Sequence, residues 1–311
     1  QTTTNKEGKV AESVFIAGLF MIAAKEMEAI AGYCGKQDDQ KRFAEKSDQM
    51  RMAIEKYGWD GKWFRRAYDD FGNPIGSILN NDGQLFIEPQ GICIMAGVGI
   101  EDGKAQLALD SVKERLSFEH GIVLLNPAYK NYHLHIGEIS SYPPGYKENG
   151  SVFCHTNPWI MIGEALIGRG DQAFDYYLKI NPSKRESLSE LHRCEPYVYA
   201  QMIAGKEAVK PGEAKNSWLT GTASWNYVAI TQYILGIKPT YYGLQISPVL
   251  PKNWKNLSIK REFRGKLFDI SIERTGLGNT IRMEVDGKPM EGNIISDVES
   301  MGPIIRVKVY V

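Results

Sequence analysis

The sequence has no excess of charge. Its 37 Lys and Arg residues balance 37 Asp and Glu, and no basic run breaks that balance. A chain of this kind lacks the electrostatic footprint of a nucleic-acid binder or an anionic-membrane binder. It contains no uncharged apolar run long enough to cross a bilayer and no secretory leader pattern. Cysteine is scarce: Cys34, Cys93, Cys154 and Cys194 show neither C-x-x-C spacing nor the density of a disulfide framework, so reduced thiols in a cytoplasmic protein are expected. Histidine is also scarce, with five in 311 residues. His133 and His135 stand two apart in "YHLHIG", which reads as a strand with both imidazoles on one face, but no third ligand follows and a metal site is not expected. The phosphate-cradling P-loop, the dinucleotide fingerprint and the G-x-S-x-G elbow are all missing. No repeat recurs at a fixed period.

What is present suits a large folded core. Apolar residues make up 43% of the chain, with six Trp and sixteen Tyr, rings that either fill a core or stack on the flat faces of sugars. "AESVFIAGLFMIAAKEMEAIAGYCGK" predicts a long, mostly buried helix, with Phe15, Leu19, Ile22 and Ala29 at helical spacing and Gly35 to end it. Further helices are predicted at "QDDQKRFAEKSDQMRMAIEKYGWD", "IEPQGICIMAGVG", "GKAQLALDSVKERL", "NPWIMIGEALIGRG", "GDQAFDYYLKI", "EPYVYAQMIAGK" and "TASWNYVAITQYILG". Between them, "KWFRRAYDDFGNPIGSI" reads as extended chain with a Phe-Gly-Asn-Pro turn. Residues 117–156 form a long irregular stretch of the sort that often carries function. Helices alternating with loops of unequal length suit an α/α toroid whose long loops build a site at one end.

The pattern changes near residue 238. "YGLQISPVLP", "LSIKREFRG", "KLFDISIER", "TIRMEVDGKPM" and "PIIRVKVYV" are short alternating strands. Phe268, Ile270 and Ile272 share one face, Asp269, Ser271 and Glu273 the other, and Asp286-Gly287 signals a hairpin. A small antiparallel β domain with a structural role is expected.

The polar residues with chemical potential lie on loops. His155 immediately precedes "TNPW", where a helix starts, and free amides at a helix N-terminus favour anions. In "SWLTGTASW", Thr220 and Thr222 flank Gly221 ahead of another helix; hydroxyls and unhindered amides there can hold phosphate oxygens or simply cap the helix. Glu148, beside Lys147, can grip sugar hydroxyls or form a surface ion pair. Glu88 and Glu195 each precede a proline at an expected helix start and read as first-turn acids.

Together, "GWDGKWFRRAYDDFGNPIGS", "IEPQG", "GIVLLNPAY", "EISSYPPGYKENG", "FCHTNPW", "EPYVYAQMIAGK", "AKNSWLTGTASWNYVAITQYILGI" and "LPKNWKNLSIKREFRG" resemble the cellobiose and chitobiose phosphorylases of glycoside hydrolase family 94, in family order over essentially the whole chain. The resemblance implies a mainly α architecture: residues 1–238 as the C-terminal part of an (α/α)6 barrel, and residues 239–311 as an antiparallel β-sandwich of jelly-roll type. It implies inverting phosphorolysis of a β-linked disaccharide, with inorganic phosphate as co-substrate and no metal or organic cofactor. It places His155, Gln201, Thr220 and Gly221 at phosphate-binding positions and Lys147 and Glu148 at sugar-binding positions. Tyr142 falls on the acceptor side, where a bulky ring suits unsubstituted glucose and hence cellobiose over chitobiose; laminaribiose is a further alternative. The family's general acid is an aspartate in a "WND"-type motif expected just upstream of Gln1, so no catalytic residue is assigned within the chain. The N-terminal portion of the same protein is then an expected partner, the chain alone is expected to be inactive, and a homodimer fits the family. A carbohydrate-binding fragment without chemistry is the alternative of another class.

Overall fold

The computed structural model describes residues 12–311. Eight α-helices occur among them: α1 (Val14–Tyr33), α2 (Gln37–Ala53), α3 (Ile87–Met95), α4 (Lys104–Arg115), α5 (Asn157–Leu166), α6 (Gly170–Ile180), α7 (Ser189–His192) and α8 (Thr222–Val228). Helices α2 and α8 each run on into a widened turn, at Ile54–Gly58 and Ala229–Ile234. No helix among the described residues is long and apolar enough to cross a membrane.

The main apolar core runs through the helical part of the chain, from Val14 on α1 through Ile94, Leu109, Ile160 and Tyr176 to Ile234. Helix α1 enters it by a face other than the one its largest apolar residues suggest. Val14, Gly18, Met21, Ala24 and Ala31 are buried, whereas Leu19 is 37% exposed and Phe15, Ile22 and Ala29 are only half-buried. Small residues win this face because they permit closer approach. A β-carbon on Gly18 would sit 3.0 Å from the Ile92 side chain of α3. Helix α3 in turn approaches α5 at Gly91, where a β-carbon would stand 2.6 Å from Cβ of Trp159. That near contact fixes where the start of α5 lies.

Three expectations change. "EPYVYAQMIAGK" is not a helix: Ala200–Ile203 is a central strand between Val152–Phe153 and Ala214–Ser217. Both edges of this segment find a backbone partner, and that pairing outweighs any helical spacing. Glu195 accordingly starts no helix and instead accepts a hydrogen bond from Trp218 Nε1 at 3.0 Å. "YHLHIG" is not a strand either. It is a tight turn in which Ile136 N and Gly137 N both donate to His133 O, with the two imidazoles 5.7 Å apart. No cluster of three or more His, Cys, Asp or Glu suited to a metal occurs among the described residues.

The C-terminal strands form two sheets over a second core that contains Ile246, Phe268, Ile270 and Val307. One is the antiparallel trio Ile237–Thr240, Gly243–Ile246 and Ile294–Ile295. The other has five strands, in the order Asn256–Phe263, Lys266–Glu273, Ile304–Tyr310, Arg282–Val285, Lys288–Met290. This sheet is mixed, not wholly antiparallel, because Lys266–Glu273 and Ile304–Tyr310 run parallel. The last strand returns by a long connection and inserts between two earlier ones, so it can oppose only one of them. Phe268, Ile270 and Ile272 face inward as the alternation requires, and Asp286-Gly287 makes the two-residue hairpin, both at positive φ.

A buried acid sets a pH response in the helical core. Glu164 of α5 is fully buried, and neither carboxylate oxygen has a hydrogen-bond partner. Arg169 lies 3.8 Å away but is engaged by Asp110, and Lys113 offsets little, so burial wins and pushes the Glu164 carboxyl up to about 7. A carboxyl raised in the folded state keeps its proton after the unfolded chain has lost it. Its stabilising contribution is therefore complete at low pH and is lost between about pH 4.5 and pH 7. Glu164→Gln should gain on the native chain by about 3 kcal/mol across that window, read from denaturant unfolding at both ends. A constant difference would contradict it. Comparing the two proteins cancels the opposite slope from His192, which burial and Arg185 hold down to about 4.

Candidate functional site

The loop from Glu138 to Thr156 is clamped from within. Buried Asn149 donates to Tyr129 O at 2.8 Å and Tyr142 O at 2.7 Å, and accepts from Tyr129 N at 2.8 Å. Gly145, at φ +81°, passes so close to the chain at Ala208 that a β-carbon would lie 2.2 Å from Ala208 N. Pro143 and Pro144 keep the entry extended. Lys147 adopts φ +48°, and its carbonyl accepts from Ser151 Oγ.

This clamp presents Tyr142 and Glu148 to one cavity of about 360 Å³. Arg66, Glu88 and Glu138 complete its polar wall; Phe86, Leu124, Ile136 and Ile139 give an apolar floor. Tyr142 Oη donates to Glu138 Oε1 at 2.8 Å, which together with the nearby Glu148 charge raises the phenol above its ordinary range. Glu148 Oε2 is buried with no hydrogen-bond partner. Lys147, expected beside Glu148, does not line this cavity.

His155, Gln201, Thr220 and Gly221, expected together at phosphate-binding positions, do not line this cavity. The Val152–Phe153 strand pairs with Ala200–Ile203, and Cys154 N donates to Gln201 O at 3.0 Å, which ties the backbone just before His155 to the Gln201 strand. The Gln201 amide oxygen accepts from Asn216 at 2.9 Å. Asn157 at the start of α5 is fully buried and bonds Ile122 N and O, fixing the helix entry. The His155 ring lies 5.7 Å from both Phe153 and Trp159, and burial lowers its pKa, so the imidazole is neutral at neutral pH. Thr220 Oγ1 accepts from Thr222 N, a local capping contact, while Gly221 is open: a β-carbon there would meet only Trp225, at 3.9 Å. Trp225 packs edge-on against Trp159 at 5.8 Å.

One ring joins the two groups. Phe15 stacks on Trp159 at 5.8 Å, and the Arg66 guanidinium lies 5.3 Å over the same Phe15. A chain of ring contacts thus runs from Arg66 in the cavity wall through Phe15 and Trp159 to His155 and Trp225. The carboxylates and apolar floor of the cavity suit a ring that bears hydroxyls. The expected general acid lies outside the described residues.

The "Glycosyl hydrolase 94 superfamily, catalytic domain" matches residues 2–236, and the "Glycosyl hydrolase family 65, C-terminal domain" matches residues 242–291. The chain belongs to the glycosyl hydrolase 94 superfamily. Relatives of this family-94 chain include the N,N'-diacetylchitobiose phosphorylase of Vibrio proteolyticus, 31% identical over 91% of this chain and 36% of the relative. The solabiose phosphorylase of Paenibacillus borealis is 34% identical over 82% of this chain and 33% of the relative. The chain therefore spans about a third of the length of these curated relatives. A solved structure described as a sialidase superposes with a TM-score of 0.57 at 12% identity, over 80% of this chain and 22% of that one, a likeness of fold alone.

Sequence reasoning missed Arg66 and Asn149 and read Glu88 only as a first-turn acid. Glu88 does sit in the first turn of α3, but it also faces the Tyr142–Glu148 cavity. Nothing local signals that role, because the opposite wall comes from residues 50 or more positions along the chain.

Proposed function

We propose that the full-length protein containing this chain performs inverting phosphorolysis of a β-linked disaccharide, with cellobiose as substrate: cellobiose and phosphate give α-glucose 1-phosphate and glucose. The observation that carries this reading is the carboxylate-walled cavity and its link, through the Phe15 and Trp159 rings, to His155. An inverting hydrolase needs both an acid and a base, with room for water. Phosphate is already an anionic nucleophile, so only a proton donor for the leaving sugar and an anion pocket are required. Glu148 and Tyr142 are assigned to the sugars and Lys147 to the loop that carries them. His155, Gln201, Thr220 and Gly221 are assigned to phosphate. The proton donor is assigned outside this chain, and no cofactor is invoked.

Residues 1–238 are read as part of an (α/α)6 barrel and residues 239–311 as a jelly-roll β-sandwich. The separate cores on either side of Gly236 support that division. The free cysteines and balanced charge accord with a cytoplasmic enzyme, and the remainder of the protein and a second copy are its proposed partners.

A second reading, N,N'-diacetylchitobiose as substrate, is favoured by the 31% identical relative of that name. Against it stands the Tyr142 ring at the cavity. Phosphate-dependent release of glucose 1-phosphate from cellobiose by the full-length protein is the expected result, with no turnover by the 311-residue chain alone. Rapid turnover confined to N,N'-diacetylchitobiose would overturn the cellobiose assignment, and hydrolysis without phosphate would overturn phosphorolysis.

A further inference from the structure

Glu88 and Arg66 have no role in the assignments above, yet they form the wall of the cavity that includes Tyr142 and Glu148. Arg66 Nε lies 3.7 Å from Glu88 Oε1, and its Nη1 donates to Ser13 Oγ at 3.2 Å while its plane rests on Phe15. The arginine is thereby fixed, and it engages only one side of the carboxylate. Among the described residues the buried Glu88 Oε2 has no hydrogen-bond partner, the same condition as Glu148 Oε2. Two carboxylate oxygens without donors, in one small cavity, are costly unless a ligand supplies the donors. The apolar floor of Phe86, Leu124, Ile136 and Ile139 suits the C–H face of a sugar ring, and vicinal hydroxyls supply the missing protons.

We propose that Glu88 is a second sugar-binding carboxylate, held in place by Arg66, and that Glu88 with Glu148 makes the cavity specific for a neutral sugar. This rests on the disaccharide reading above. With Glu138, the cavity carries three carboxylates against one guanidinium. Such a wall accepts hydroxyl donors and repels a sugar acid or a phosphate. It also keeps phosphate on the far side of the Phe15–Trp159 partition, where the phosphate group assigned above contributes no carboxylate. Glu88 is a binding residue; Arg66 is a positioning residue that acts through it.

The test uses the full-length protein with Glu88→Gln, which keeps size and one acceptor, and Glu88→Ala. Steady-state kinetics give KM for disaccharide and for phosphate separately, and calorimetry gives disaccharide affinity without phosphate. Glu88→Gln should weaken disaccharide binding about tenfold by both measures, and Glu88→Ala more, with KM for phosphate unchanged. Glu88→Gln should also narrow the preference for a neutral hexose over the corresponding hexuronic acid. Arg66→Lys should raise KM for disaccharide and leave kcat nearly unchanged. Unaltered disaccharide binding in both Glu88 variants would overturn the proposal, as would equal losses in both KM values together with a lowered Tm. If the native protein binds disaccharide but does not phosphorolyse it, the reaction assignment falls and calorimetry still decides Glu88. If it binds none, both fall.

Discussion

Replacing His155 by Ala should raise KM for phosphate by about 10- to 150-fold, or abolish turnover, while disaccharide affinity stays near native. A hydrogen bond to a charged group contributes about 1.5–3 kcal/mol, which sets that range. Three features make His155 suited to the role. The bond from Cys154 N to Gln201 O holds the backbone just before it. The Phe153 and Trp159 rings, each 5.7 Å away, restrict the imidazole so that little rotational freedom is lost on binding. Burial lowers its pKa, so at neutral pH it is a neutral donor with one ring proton, and the charge on the attacking phosphate is not neutralised by proton transfer. His155→Asn, which keeps an N–H donor of shorter reach, should recover part of the lost phosphate affinity. Phosphate kinetics unchanged in His155→Ala would remove His155 from the anion pocket. A disaccharide KM that rises in parallel would mean that the residue holds the loop rather than the ligand.

The second large effect is structural and comes from Asn149. Its amide uses both donor positions and its acceptor on backbone groups, binding the Tyr129 and Tyr142 segments into one unit. Asn149→Ala strands three backbone groups at once, the buried Tyr129 N and O and the part-buried Tyr142 O. A loss of about 3 kcal/mol or more in unfolding free energy is expected. Asn149→Asp should be no better, because a carboxylate would face two carbonyl oxygens where the amide donated. Since the neighbouring residue is Glu148 and the bound carbonyl belongs to Tyr142, disaccharide KM should rise in both variants even at temperatures where the protein stays folded. Native stability in Asn149→Ala, measured by denaturant titration, would show that the loop is held by Gly145 and the prolines instead.

Much of the helical architecture is legible in the sequence because its signal is local. The 3.6-residue spacing locates α1 to α6 without reference to anything distant. Which face of α1 is buried is not local information. Gly18, Ala24 and Ala31 are inside because α2 and α3 approach them closely, and residue size alone points to Phe15 and Leu19. The strand Ala200–Ile203 fails for the same reason: its partners lie about 50 residues before it and 14 after it. So does the parallel pairing of Lys266–Glu273 with Ile304–Tyr310. At the site, His155, Glu148 and Thr220 stand out by motif, whereas Asn149 and Arg66 acquire their meaning only through what the folded chain brings against them. Glu88 is the sharpest instance, since the sequence accounts for it fully as a helix-start acid and thereby conceals its second face.

The stacked rings have an optical consequence. Trp159 is 8% exposed and touches Phe15, Trp225 and His155, each at 5.7–5.8 Å. Two indoles at that separation exchange excitation efficiently, and an imidazole beside an indole changes its emission when its own protonation or hydrogen bonding changes. The partition between the two binding regions is therefore also a built-in fluorophore. Under the phosphate assignment proposed for His155, anion arrival should be readable in the intrinsic emission of the protein, without a label and without turnover, and Trp159→Phe identifies which part of the signal comes from that ring.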